Sequence, residues 1–143
     1  MQNRDFDIII WGATGHTGRP AALYLHRHYG VQGKVRWAIA GRNRSKLEAL
    51  KAEIGDPGLP VFVVPGSDRV AADNIASKTR VVASTVAPGA LYATEMVEAC
   101  IAHGTHMADL CGELHWLRGM MDKYDPLAQS SKVKIVNCCG LDS

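Results

Sequence analysis

Seven residues near the start of the chain, Gly12-Ala13-Thr14-Gly15-His16-Thr17-Gly18, have the types and spacing of a phosphate-holding loop. They spell G-x-x-G-x-x-G, a variant of the dinucleotide fingerprint. An apolar run, Asp7 to Trp11, leads directly into them, and a helical pattern follows. In that setting each glycine has its own task. Gly12 permits the tight turn out of the strand, Gly15 lets backbone approach a pyrophosphate without a Cβ in the way, and Gly18 lets the helix pack closely on the sheet. The free N–H groups and the positive end of the helix then favour an anion. Thr14 and Thr17 can add hydroxyl hydrogen bonds. The plainer alternative is a glycine-rich turn with no ligand. The strand-turn-helix context argues against it.

The end of the second apolar run bears on which dinucleotide would fit. A site for NAD usually carries Asp or Glu there, bonded to the ribose 2′-hydroxyl. This chain runs Ala38-Ile39-Ala40-Gly41-Arg42 and has no acid at that point. Arg42 and Arg44 stand where a 2′-phosphate would lie, and a guanidinium matches a phosphate in a two-pronged fork. The expected cofactor is therefore NADP(H), with NAD possible. A solvated, basic helix start is the competing explanation, and Glu48 is placed to neutralise Arg44 in part. Asp68, after the third run, could accept from an adenine amine or could simply cap a helix. The segment Thr85-Val86-Ala87-Pro88-Gly89 ends the fourth run, where backbone from Val86, Ala87 and Pro88 should pass beside the cofactor.

No residue can be named as catalytic. Tyr24, Tyr29, Tyr92 and Tyr124 lack a lysine four positions on, and no Ser/His/Asp arrangement can be placed. Cys111, Glu113, His115 and Asp142 lie near strand ends and could line a site, although structural or rim roles explain each. The four cysteines, Cys100, Cys111, Cys138 and Cys139, show no C-x-x-C spacing. They read as free thiols acting as small buried hydrophobes in a reducing compartment. His103 and His106 do not sit one helical turn apart, so they read as surface or interface histidines, and no metal site is expected.

The elements that must position these residues alternate regularly. Apolar strands are expected over Asp7 to Trp11, Val35 to Ala40, Val61 to Val64, Arg80 to Val86, His106 to Leu110 and Val133 to Cys138. Helices are expected over Thr17 to Tyr29, Ser45 to Ile54, Asp68 to Ser77, Leu91 to His103 and Leu114 to Ser131. Pro126 should kink or divide the last of these. In the first helix, Ala21, Ala22, Leu25 and Tyr29 form the core-facing stripe. Continuous apolar strands separated by helices require a mainly parallel sheet covered on both faces. Right-handed crossovers make this a doubly wound α/β fold of the Rossmann type.

The 143 residues suit one domain and carry a net charge of +2, with 47% hydrophobic residues. That balance points to neither nucleic acid nor a membrane surface. No apolar run approaches the roughly 18 residues of a membrane span. Met1 to Asp7 is polar and lacks the apolar segment of a secretory leader, so a cytoplasmic location is expected.

With these motifs in order, the chain resembles the saccharopine dehydrogenase-like oxidoreductases, including the trans-acting enoyl reductases. The resemblance is carried by GATGHTGRPAALYL, WAIAGRNRSKLEAL, VVASTVAPGALYATEMVEACIAHGTHMADLCGE and IVNCCGLDS, which together span nearly the whole chain. The EACIAHGTHMADLCGE run and the GLDS ending are far more specific than the glycine loop. The resemblance implies a Rossmann domain that holds a nicotinamide cofactor at Gly12 to Gly18, Arg42 and the Val86 to Pro88 loop. It also implies a C-terminal domain beyond Ser143 with most substrate contacts, so residues 1–143 are expected to be the N-terminal part of a longer two-domain protein. Substrates vary across the family from amino-acid adducts to lipids. A small or lipid-like substrate is expected, and a homodimer is possible. Two departures stand out: Gly89 replaces the tyrosine that many relatives carry after the proline, and His16 replaces a phenylalanine. The function expected is hydride transfer with NADP(H). The alternative is a non-catalytic nucleotide-sensing or interaction protein on the same fold.

Overall fold

The computed structural model describes residues 3–31 and 33–140. Its strands are β1 (Phe6–Trp11), β2 (Trp37–Gly41), β3 (Val61–Val63), β4 (Thr79–Ser84), β5 (His106–Asp109) and β6 (Ile135–Val136). Its helices are α1 (Gly18–Tyr29), α2 (Arg44–Ile54), α3 (Arg69–Ala76), α4 (Gly89–Tyr92), α5 (Thr94–His103) and α6 (Leu114–Ser130). Every strand pairing is parallel. The six strands lie in the order β3-β2-β1-β4-β5-β6. The chain builds outward from β1 to β3, then crosses back and builds outward from β4 to β6. The direction reverses between β1 and β4, and a crevice forms there beyond the carboxyl ends of the strands.

Strand side chains alternate between the two faces. Ile10, Trp37 and Ile39 face one side, where Ala22 of α1 and Leu47, Leu50 and Ile54 of α2 complete a core. Ile9, Trp11, Ala38, Ala40 and Val82 face the other, with Ile75, Met96, Val97, Cys100 and Tyr124 from α3, α5 and α6. All five residues of β2 are buried, which is why it reads as an unbroken apolar run.

Several elements differ from the expectations. The helix expected over Leu91 to His103 is two helices, α4 and α5, joined at the buried Ala93. Pro126 does not divide α6, which runs unbroken from Leu114 to Ser130. Pro126 lies on its exposed face, where water can satisfy the carbonyl left without a donor. Tyr29 is 44% exposed and is no part of the core stripe. Trp37 closes that end of the core instead, its indole N–H donating to Gly30 O at 2.6 Å. The sixth strand has two residues rather than six, because Lys132 (φ 56°) and Cys138 (φ 57°) bracket it with left-handed backbone. Cys100 and Cys111 are buried as expected, but Cys138 is half-buried and Cys139 exposed. Burial pushes the Cys100 thiol up to about 12.

At the amino ends of the strands the chain is pinned by charge. The buried Arg4 guanidinium donates to the carbonyls of Ala76, Ser77 and His103, tying α3 to α5. His103 Nε2 lies 3.0 Å from Asp73 Oδ1, and His106 Nδ1 accepts from the Lys134 amide at 3.1 Å. The two rings thus serve different partners. Among the described residues no helix is long and apolar enough to cross a membrane.

Candidate functional site

The site is built where β1 gives way to α1. Gly12 has φ 88°, a left-handed value that favours glycine. Its surroundings reinforce the choice: a Cβ there would lie 2.7 Å from Thr85 Oγ1 and 3.0 Å from Val86 Cγ2. The turn is held by the Gly12 and Ala13 amides, which both donate to Ala40 O, and by Gly15 N, which donates to Gly12 O at 3.0 Å. A Cβ on Gly18 would stand 2.1 Å from Gly12 O and 2.8 Å from Ala13 Cα. Only glycine lets α1 start this close to β1. Gly15 is exposed, and a Cβ there would meet only Gly12 O, at 3.2 Å. The side of the loop away from the strand is therefore open. Thr17 precedes α1 and gives it no side-chain cap, and the first turn holds no acid. The helix start is left to attract an anion.

Beside this loop lies a cleft of about 350 Å³. Gly12, Thr14, Gly15, Arg42, Val86 and Ala87 line it, six of the positions singled out by spacing. Thr85, Trp11, Val64, Gly66, Asn43, Lys46 and Tyr92 also line it. Trp11 donates its indole N–H to Val64 O at 3.0 Å, so the two form an apolar floor. Thr85 Oγ1 donates to the carbonyls of Trp11 and Gly12, at 3.2 and 3.0 Å. That bond stitches the β4 loop to the glycine loop across the point where the sheet order reverses.

The remaining positions lie elsewhere. Ala13 and Gly18 are buried beneath the loop, and His16 and Thr17 are exposed beside it. Pro88 follows a cis peptide bond and precedes α4. Arg44 points along its own helix and pairs with Glu48 at 3.6 Å. Asp68 caps α3, its carboxylate accepting from the Ala71 amide at 2.9 Å. Asp68→Ala should therefore cost about 1 kcal/mol of stability, the usual value of such a cap. Asp68→Asn should cost far less, and comparing the two thermal midpoints checks this.

Electrostatics distinguish the two ends of the cleft. Arg42 and Lys46 make no ion pair among the described residues, and no carboxylate lines the cleft. The sequence places Lys46 in one basic group with Arg42 and Arg44 but does not assign it to the cofactor, because its place depends on where α2 begins. Asn43 caps α2, accepting from the Lys46 amide at 3.0 Å. That cap starts the helix one residue earlier than expected and brings the first turn against the glycine loop.

Across the cleft, α4 packs on the β5–α6 loop. A Cβ on Gly89 would lie 2.6 Å from Cys111 Sγ and 2.8 Å from the Trp116 ring. The space a tyrosine would need is thus already filled. Glu113 Oε2 accepts from Cys111 Sγ and from the Ala90 amide, both at 3.1 Å. The Cys111 thiol and the Ala90 and Gly89 amides hold the Glu113 carboxyl below its usual range. Burial raises the Asp109 carboxyl, whose Oδ2 accepts from Asn137 Nδ2 at 3.2 Å. His115 is exposed at the start of α6, and Asp142 lies outside the described residues.

The glycine cradle, the uncapped helix and the acid-free cationic rim fit a phosphorylated dinucleotide. Residues 8–136 match the family model described as the saccharopine dehydrogenase NADP binding domain. The chain belongs to this family. It is accordingly an NADP-binding domain of the saccharopine dehydrogenase type. A Mycobacterium tuberculosis protein is 36% identical over 142 residues, covering 98% of this chain and 33% of its own length. The trans-acting enoyl reductases of Mycobacterium bovis and Mycobacterium ulcerans are 34% and 33% identical with the same coverage. The chain thus spans about a third of the length of these relatives. Among solved structures, apo saccharopine dehydrogenase (L-Glu forming) from Saccharomyces cerevisiae superposes with a TM-score of 0.77 at 19% identity. That match covers 96% of this chain and 28% of the yeast protein. AtPrR2 with NADP+ and (+)pinoresinol superposes at 0.59 with 11% identity, over 96% of this chain and 50% of that one. These two likenesses show the shared Rossmann fold.

Proposed function

We propose that the chain holds NADP(H) for an oxidoreductase that moves hydride to or from a small or lipid-like substrate. In this reading the pyrophosphate lies on the Gly12 to Gly15 turn, against the uncapped start of α1. Thr14, and His16 and Thr17 on the outer side of the loop, border it. Arg42 and Lys46 take the 2′-phosphate, with Asn43 between them, while Arg44 adds only a more distant charge. Val86, Ala87 and Pro88 carry backbone past the ribose. Asp68 keeps its capping bond and stands beside the adenine end. The observation that carries this reading is the pair of unpartnered cations in a cleft without a carboxylate. A 2′-hydroxyl offers such a rim only a neutral acceptor, whereas a 2′-phosphate offers it a dianion.

When bound, NADPH supplies the hydride. The chain's residues bind it, orient it and keep one face of it against the sheet. The names of the mycobacterial relatives favour a carbon–carbon double bond as the acceptor. Residues that contact the substrate are expected in the part of the relatives that this chain does not span. The free thiols suit a reducing, cytoplasmic compartment. The test is oxidation of NADPH, followed by loss of its absorbance, in the presence of enoyl thioesters. Turnover with NADPH in clear preference to NADH supports the proposal. Tight NADPH binding without oxidation by any enoyl, imine or carbonyl acceptor would favour a nucleotide sensor.

A further inference from the structure

The four-residue helix α4 carries Tyr92 into the cleft, and two loops on opposite sides of it hold it there. On the adenine side, Ser67 Oγ donates to Leu91 O at 2.8 Å and the Ser67 amide to Tyr92 O at 3.4 Å. The Tyr92 ring lies on Gly66 so closely that a Cβ there would be 2.6 Å from it. The phenol oxygen has no partner among the described residues. On the other side, Glu113 accepts from Ala90 N at 3.1 Å, and its carboxyl and the Cys111 thiol both face the Gly89 amide. Glu113 itself does not line the cleft. Removing it loosens one end of α4 without deleting any side chain that lines the cleft.

We infer that Glu113 is a positioning residue for the adenosine half of the cofactor, acting through α4 on the Tyr92 wall of the cleft. This rests on the nucleotide reading above. It adds a route by which the β5–α6 loop, outside the cleft, sets cofactor affinity. The Cys111 thiol completes the arrangement, since its bond to Glu113 aims the carboxylate at Ala90. Glu113 is exposed, so its replacement removes a tether rather than core packing.

The experiment measures dissociation constants of 2′,5′-ADP and NADPH for the full chain and for Glu113→Ala, Glu113→Gln and Tyr92→Ala. Hydrogen exchange at the Ala90 amide and the thermal midpoint are followed in parallel. Glu113→Ala should weaken both ligands roughly tenfold, in the range of contacts that tune a site from outside it. Its Ala90 amide should exchange faster at an unchanged thermal midpoint. Glu113→Gln keeps an acceptor oxygen and should restore affinity to within about twofold of wild type. Tyr92→Ala should weaken 2′,5′-ADP at least as much as Glu113→Ala. The inference is overturned if Ala90 exchange accelerates while 2′,5′-ADP affinity stays unchanged. It is equally overturned if affinity falls only together with the thermal midpoint. Failure of the wild-type chain to bind 2′,5′-ADP at all would instead overturn the underlying nucleotide reading, and this inference with it.

Discussion

Gly18→Ala should destabilise the protein by about 3 kcal/mol or more, although alanine is the better helix former. Propensity alone favours the change by up to about 1 kcal/mol. Against it stands a Cβ placed 2.1 Å from Gly12 O and 2.8 Å from Ala13 Cα. These are backbone atoms of the turn, so no flexible side chain can yield. Overpacking costs about 1–3 kcal/mol even where side chains can adjust. Here α1 must lift from β1 or the turn must deform, and the fall in thermal midpoint should be roughly 10 °C for a domain of this size. Gly119→Ala provides the internal contrast. It lies in α6, and a Cβ there meets nothing within 4 Å, so the same substitution should stabilise by about 0.5–1 kcal/mol. Two thermal melts check both signs. A neutral Gly18→Ala would mean that the close approach of α1 is dispensable and that the loop is not built for a phosphate.

The second large effect falls on affinity. Arg42→Ala should weaken NADPH binding about 10- to 30-fold, and Arg42→Ala with Lys46→Ala about 100-fold. A hydrogen bond to a charged group contributes about 1.5–3 kcal/mol, and both cations are exposed, which puts each at the lower end. Neither variant should move NADH by more than about twofold, because the rim they form has no other partner on that ligand. Arg44→Ala should change NADPH affinity least of the three, since its guanidinium is paired with Glu48 at 3.6 Å. Raised salt should erode the NADPH advantage for wild type and leave the double variant nearly unaffected.

The sequence made the α/β alternation, the glycine turn and the absent acid after β2 legible because each is local. The parallel order could be inferred because β2 is apolar throughout and the connections suit crossover helices. What stayed hidden depends on distance or on the start of an element. Lys46 joins the rim only because Asn43 caps α2. Tyr92 reaches the cleft because the expected helix breaks at Ala93, and α4 turns separately from α5. The Arg44–Glu48 pair, by contrast, was legible from their spacing of one helical turn, and it leaves Arg42 as the rim's free guanidinium among the described residues. The Glu113 bond to Ala90 spans 23 positions and has no sequence signature. Pro126 misled in the other direction: its exposed place on α6 makes the lost hydrogen bond cheap.

The most direct test of the account is the ratio of NADH to NADPH dissociation constants, measured by calorimetry on wild type and on the Arg42→Ala, Lys46→Ala double variant. The ratio should be about 100 or more for wild type and collapse to near unity in the double variant through loss of NADPH affinity alone. Equal affinity of the wild-type chain for the two cofactors, or NADH binding that is tighter and indifferent to both substitutions, would contradict it.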